Sequence, residues 1–88
     1  LLTKSMAVEW GPDNVQTNGI GPGYLKTEMT ERLWKDPEFD KWVTGRVPAA
    51  RWGAPEELVG PAIFLSSEAS SYINGHIVYV EGGLLCGM

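Results

Sequence analysis

The chain has 88 residues, 43% of them hydrophobic and 20% charged, with a formal net charge of −4. That length allows one small domain at most, and burying only about 60–65% of its unfolded surface leaves such a chain marginal without help. Its apolar content excludes a disordered tail, its seven scattered Lys and Arg argue against nucleic acid or an anionic membrane as partner, and no apolar run approaches a membrane span. The single Cys86 cannot close an internal disulfide, so a reducing cytoplasm is the expected compartment. There is no signal-peptide pattern, and a first residue of Leu fits a truncated or processed chain.

The spacing predicts a helix over residues 1–10, with Leu2, Met6 and Trp10 on one face and Lys4 and Glu9 off it. Gly11 is the expected C′ residue and Pro12 the stop. Residues 15–20 read as a short strand. Gly19-Ile20-Gly21-Pro22-Gly23 reads as a turn at its carboxyl end, because Gly opens backbone angles and Pro removes a donor. Open α/β sheets place ligands at such turns. The run is not the Gly-x-Gly-x-x-Gly dinucleotide fingerprint. Its spacing differs, Pro22 interrupts it, and no acidic residue caps a following strand in a βαβ unit.

Residues 28–35 and 38–46 read as two short helices, the second with Asp36 as N-cap and Pro37 at its first position. Phe39, Trp42 and Val43 form an apolar stripe that Trp34 can join. Residues 47–54 read as a loop. Arg46 and Arg51 could each hold a carboxylate bidentately, but an Arg beside Trp52 is ordinarily a packing residue, so neither is assigned. Residues 55–67 read as a helix starting at Pro55, with Glu56 and Glu57 in its first turn. Leu58, Ala62 and Leu65 share a face, and Pro61 should kink the helix. Residues 66–74 read as a turn whose serines cap rather than catalyse. Residues 76–80 read as a buried parallel strand, closed by a Glu81-Gly82-Gly83 turn. His76 has no ligand cluster near it, so no metal is expected. Strand 15–20, helix 55–67 and strand 76–80 make one βαβ crossover with parallel strands.

Several motifs stand in one order over nearly all of the chain. They are Leu2-Thr3-Lys4-Ser5-Met6-Ala7-Val8-Glu9, Asn18-x-x-x-Pro22-Gly23-x-x-x-Thr27 and Arg51-Trp52-Gly53-Ala54-Pro55-Glu56-Glu57-Leu58. Phe64-Leu65-Ser66-Ser67-Glu68-Ala69-Ser70-Ser71-Tyr72-Ile73-Asn74-Gly75 and Val80-Glu81-Gly82-Gly83 complete the series. The set resembles the carboxyl-terminal third of the short-chain dehydrogenase/reductase family, with Glu81 in place of that family's usual Asp. Within the family, Asn18 to Tyr24, Pro37-Glu38-Phe39 and Trp42 look most like the gluconate 5-dehydrogenase group.

The resemblance implies an α/β fold: the carboxyl-terminal part of a Rossmann-type doubly wound parallel sheet, ordered helix, strand, lid helices, helix, strand. Residues 1–88 would form the carboxyl-terminal segment of a single oxidoreductase domain, with a lid-like insertion at about 28–50. The implied cofactor is NAD or NADP, and the implied cofactor-binding residues are Pro22, Gly23, Tyr24, Leu25 and Thr27. The backbone near Leu25 and the hydroxyl of Thr27 would meet the nicotinamide carboxamide, which needs one donor and one acceptor. Taken alone, Thr27 is a helix N-cap, and it can serve as both. The family's catalytic Tyr-x-x-x-Lys is absent: Tyr24 is followed at that offset by Glu28, Tyr72 by His76 and Tyr79 by Gly83. No catalytic or metal-ligating residue is therefore assigned in this chain, and alone it should not turn over. A small polyol or keto-acid substrate is implied beneath the lid. So is a homo-oligomer through the last helix and last strand. The alternative is a non-catalytic, self-associating binding module.

Overall fold

A two-stranded parallel sheet organises residues 1–87, the part of the chain that the computed structural model describes. Strand β1 (Gly19–Pro22) pairs with β2 (Ile77–Val80) in the register Gly19↔Ile77 to Pro22↔Val80. The parallel pairing agrees with the sequence, but the strand position does not. The segment from Val15 stays outside the ladder, and the Gly-x-Gly run expected to be a turn is itself the strand.

The reason lies in the partner strand. A Cβ at Gly19 would sit 2.7 Å from Ile77 Cδ1, and one at Gly21 would sit 2.6 Å from Tyr79 Cδ1. The glycines thus make room for β2 side chains lying over β1, and neighbour bulk outweighs the poor strand propensity of Gly. Gly19 and Gly23 donate to the carbonyls of His76 (2.9 Å) and Val80 (3.1 Å). Alternation then turns Ile20 and Pro22 to the opposite edge, where the missing N–H of Pro22 removes nothing from this ladder. Ahead of β1, two asparagine side chains supplement a single backbone bond from Gly75 N to Thr17 O (2.8 Å). Asn18 donates to Ile73 O (2.9 Å) and accepts from His76 N (3.0 Å). Asn74 accepts from Thr17 N (2.8 Å) and donates to Ala7 O (3.1 Å).

Helix α1 (Leu2–Trp10) forms where predicted but buries a different face. Ala7 is buried, whereas Leu2 is 71% and Trp10 42% exposed. Asn74 and Gly75 approach too closely for a large side chain, so the small residue faces them. Gly11 is not the left-handed C′ residue. It is right-handed at φ −54°, the chain continues in a 3₁₀ turn to Asp13, and Asn14 takes the left-handed position at φ 61°. Asn tolerates that conformation through its short polar side chain.

Two short helices follow, α2 (Glu31–Trp34) and α3 (Pro37–Arg46). Asp36 caps α3 as expected, its Oδ1 accepting from Glu38 N at 3.0 Å, with Pro37 in the first position. α2 is shorter than the predicted 28–35 because residues 27–30 form a threonine-stitched turn instead. The core gathers under these helices rather than against the sheet. Val43 is fully buried with Val47 and Trp52, ringed by Tyr24, Leu33, Trp34, Phe39 and Leu84. Trp42, expected in the buried stripe, is half-exposed and stacks on Phe39 with centroids 5.6 Å apart.

The predicted helix over 55–67 is two pieces: a 3₁₀ turn (Pro55–Leu58) and α4 (Val59–Leu65). Pro61 sits in the first turn of α4, where an N–H has no intrahelical partner. A continuous helix would drive its ring into the Glu57 carbonyl, so the break falls between them. Ser67 and Ser70 do cap locally, donating to Phe64 O (2.8 Å) and Ser67 O (3.1 Å). After β2, Glu81 folds the chain back by accepting from Gly83 N and Leu85 N, while Gly82 O receives Ala49 N at 3.0 Å.

Candidate functional site

The loop after β1 lies at the carboxyl end of a parallel strand, where open α/β sheets offer ligand-facing backbone. Gly53 N donates to Tyr24 O and Lys26 N donates to Gly53 O, both at 2.9 Å. These bonds pair Leu25 with Gly53 in an isolated parallel bridge. They use the groups on either side of Leu25, so its own N–H faces away from the bridge. Among the described residues that N–H meets no acceptor.

The next turn is held by hydroxyls. Thr27 N donates to Thr30 Oγ1 (3.0 Å), and Thr30 Oγ1 donates to Leu25 O (2.8 Å). Trp34 Nε1 donates to Thr27 O at 3.0 Å. The Thr27 hydroxyl itself is weakly engaged, at 3.3 Å from Thr30 N and 3.2 Å from Thr30 Oγ1. It is only partly buried and is free to turn its proton outward.

Of the five residues expected at a cofactor, Gly23, Tyr24, Leu25 and Thr27 share this loop, and Pro22 ends β1 beside it. Tyr24 does more than expected. Its ring meets Phe39, Trp42 and Trp52 edge-on, with centroids 6.1, 6.0 and 5.8 Å away. The loop is therefore fastened to α3 by an aromatic cluster, and Trp52 Nε1 adds a 2.7 Å bond to Asp40 Oδ1. A hollow of about 50 Å³ lies behind the loop, lined by Tyr24, Leu25, Val47, Arg51, Glu57 and Glu81. It has room for a few waters, not for a sugar acid.

Arg51 has its carboxylate within the chain. Its Nη1 and Nη2 lie 2.7 and 2.8 Å from Glu57 Oε1 and Oε2, a bidentate pair. That bond, aided by the Ala54 N–H, pulls the Glu57 carboxyl down to about 2. Arg46 instead lies over the Trp42 ring at 5.8 Å. Thr30 was not among the residues expected at the site, and Trp34, expected only in the apolar stripe, also bonds the loop. Their signal was the Thr27-x-x-Thr30 spacing of a capping turn, with an indole four residues on.

A family model described as enoyl-(acyl carrier protein) reductase matches residues 1–85. The chain belongs to the short-chain dehydrogenase/reductase family. It is 55% identical over 85 residues to the 5-keto-D-gluconate 5-reductase of Escherichia coli K12, covering 97% of this chain and 34% of that protein. It is 58% identical over 83 residues to the gluconate 5-dehydrogenase of Gluconobacter oxydans, covering 94% of this chain and 32% of the other. The chain thus spans about a third of the length of these curated relatives. Among solved structures, a gluconate 5-dehydrogenase from Burkholderia cenocepacia in complex with NADP and tartrate superposes with a TM-score of 0.94 at 45% identity. That match covers 99% of this chain and 34% of that one.

The matches bear out the resemblance, including its narrower form. The parallel pair β1–β2 with its α4 crossover has the Rossmann-type α/β fold of this family, the fold class expected from the motifs.

Proposed function

We propose that these residues are the carboxyl-terminal segment of an NAD(P)-dependent oxidoreductase that acts on a hydroxyl or keto group of a small sugar acid or polyol, as gluconate 5-dehydrogenases do. The observation that carries the reading is the loop at the tip of β1, with an unclaimed Leu25 N–H and a weakly held Thr27 hydroxyl. A carboxamide fits these groups. Leu25 N–H donates to the amide oxygen, and the Thr27 hydroxyl accepts from the amide nitrogen. Pro22 has no N–H to strand at the bend, Gly23 lets the end of β1 pass close to Glu81, and Tyr24 anchors the loop to α3. Bound NAD(P) would supply the hydride acceptor or donor. This chain's residues orient the nicotinamide end, and the lid-like insertion at about 28–50 keeps water from the reacting carbon.

The acid–base Tyr-x-x-x-Lys and the Gly-rich phosphate loop come, in this reading, from sequence outside these 88 residues. The cytoplasm is the compartment it implies. Among the described residues no helix is long and apolar enough to cross a membrane. The test is spectrophotometric. The gene product carrying these residues should oxidise gluconate with NAD(P)⁺ and reduce 5-keto-gluconate with NAD(P)H, while the 88-residue chain alone should do neither. Turnover by the isolated chain, or a gene product inert toward every sugar acid and polyol, would defeat the proposal.

A second observation supports self-association. Val59 (54%), Ile63 (64%) and Phe64 (42%) of α4 and Tyr79 (58%) of β2 are exposed apolar side chains on the last helix and strand. A second copy packed about a two-fold axis would cover them. Sedimentation at micromolar concentration should show at least a dimer, and a clean monomer would count against it.

A further inference from the structure

The bonds around Thr30 tie together the two residues that the proposed cofactor contact needs. The Thr30 hydroxyl accepts from Thr27 N at 3.0 Å and donates to Leu25 O at 2.8 Å. Trp34 Nε1 clamps Thr27 O at 3.0 Å from the other side. Leu25 O, Thr27 N and Thr27 O are thereby taken up inside the turn. Leu25 N–H is left without an acceptor among the described residues, and the Thr27 hydroxyl is left only weakly held, at 3.3 Å from Thr30 N and 3.2 Å from Thr30 Oγ1.

We propose that Thr30 and Trp34 are positioning residues for nicotinamide recognition: their side chains orient Leu25 and Thr27 toward the carboxamide without touching the cofactor. This rests on the reading of the loop given above. Three features separate the pair from ordinary packing. A hydroxyl that donates and accepts at once fixes two backbone groups relative to each other, which an apolar side chain of the same shape cannot do. Trp34 is flanked in turn by cations, with Lys26 Nζ 5.2 Å and Lys35 Nζ 5.5 Å from its ring centre and Lys35 paired with Glu31. Further, Thr30 and Trp34 sit on α2 and its cap, so any shift of α2 is passed to Leu25 and Thr27 through three directed bonds.

The experiment uses the gene product carrying these residues and four variants: Thr30→Val, Thr30→Ser, Trp34→Phe and Thr27→Val. Two ligands are titrated, NAD(P)⁺ and the matching ADP-ribose that lacks nicotinamide. Amide hydrogen exchange is followed at Leu25 and Thr27. Losing an oriented hydrogen bond should weaken NAD(P)⁺ by about tenfold in Thr30→Val and by about threefold to tenfold in Trp34→Phe. The ADP-ribose affinity should stay unchanged, and Thr27 N–H exchange should speed up in Thr30→Val. Thr30→Ser keeps the hydroxyl and should stay within about twofold of the parent.

Equal weakening of both ligands overturns the proposal, because it marks a general loss of structure. So does unaltered NAD(P)⁺ binding in Thr30→Val while Thr27→Val is weak, an outcome that leaves the loop reading intact. Unaltered binding in Thr27→Val defeats the loop reading itself, and the positioning role with it. If Thr30→Val does not fold, Trp34→Phe decides by the same two-ligand comparison.

Discussion

The backbone of the loop passes against the turn that follows β2 at Gly23, and Gly23→Ala is the sharpest test of this architecture. A Cβ there would lie 2.6 Å from Glu81 Cβ and 2.8 Å from Glu81 Cα. Real Cβ contacts do not fall that short, and one of the two atoms is backbone, so no side chain can swing away. Either the end of β1 or the start of the closing turn must move. The turn is tethered by Glu81 to Gly83 N and Leu85 N and by Gly82 O to Ala49 N, so the shift breaks directed bonds as well as packing. Overpacking of this kind costs about 1–3 kcal/mol. Gly21→Ala supplies a built-in comparison. Its Cβ would come as close, 2.6 Å, but to Tyr79 Cδ1, part of an exposed ring that can turn outward. Gly45→Ala meets nothing within 4 Å and lies in α3, where it should stabilise by up to about 1 kcal/mol. Urea unfolding of the three variants in the gene product should therefore rank Gly45→Ala above the parent, Gly21→Ala slightly below it, and Gly23→Ala well below. A Gly23→Ala midpoint equal to the parent's would refute the argument from backbone contact.

Val43→Ala empties the centre of the helical core, where Val43 has no exposed surface, and should cost about 2–3 kcal/mol in the same unfolding assay. Trp52→Phe removes the indole donor from Asp40 and should cost about 1–2 kcal/mol, with the aromatic contacts to Tyr24 largely kept. Glu57 has a pH signature. Protonating it breaks the Arg51 pair, so the folded chain binds that proton less tightly than the unfolded one, with the carboxyl at about 2 against an ordinary 4.5. Its stabilisation is complete above pH 4.5 and is lost as the pH falls toward 2. Glu57→Gln should remove that dependence from the acid limb of a stability–pH curve, and an unchanged limb would show that the pair contributes nothing in solution.

Much of the candidate site was legible in one dimension because it is made of backbone and of residues close in sequence. The Asn18-x-x-x-Pro22-Gly23-x-x-x-Thr27 pattern places the loop, Asp36-Pro37 starts α3, and the apolar run Ile77-Val78-Tyr79-Val80 marks the partner strand. Each is a local preference that the fold had no reason to overrule. The misplacements share another cause. Gly19 and Gly21 read as breakers, yet they are strand residues because Ile77 and Tyr79 need the space above them. Ala7, not the Leu2-Met6-Trp10 face, is buried because Asn74 and Gly75 press against it from the far end of the chain.

Motif order by itself carried the resemblance to the family, and it is that resemblance that implied the loop facing a nicotinamide in the proposed enzyme, while the parallel crossover followed from turn chemistry and apolar periodicity. Only the tertiary structure decided where the core lies, that Arg51 is matched by Glu57, and that Tyr24 and Trp34 brace the loop from two sides. Those outcomes depend on distances between residues separated along the chain, which packing sets and local propensity does not encode.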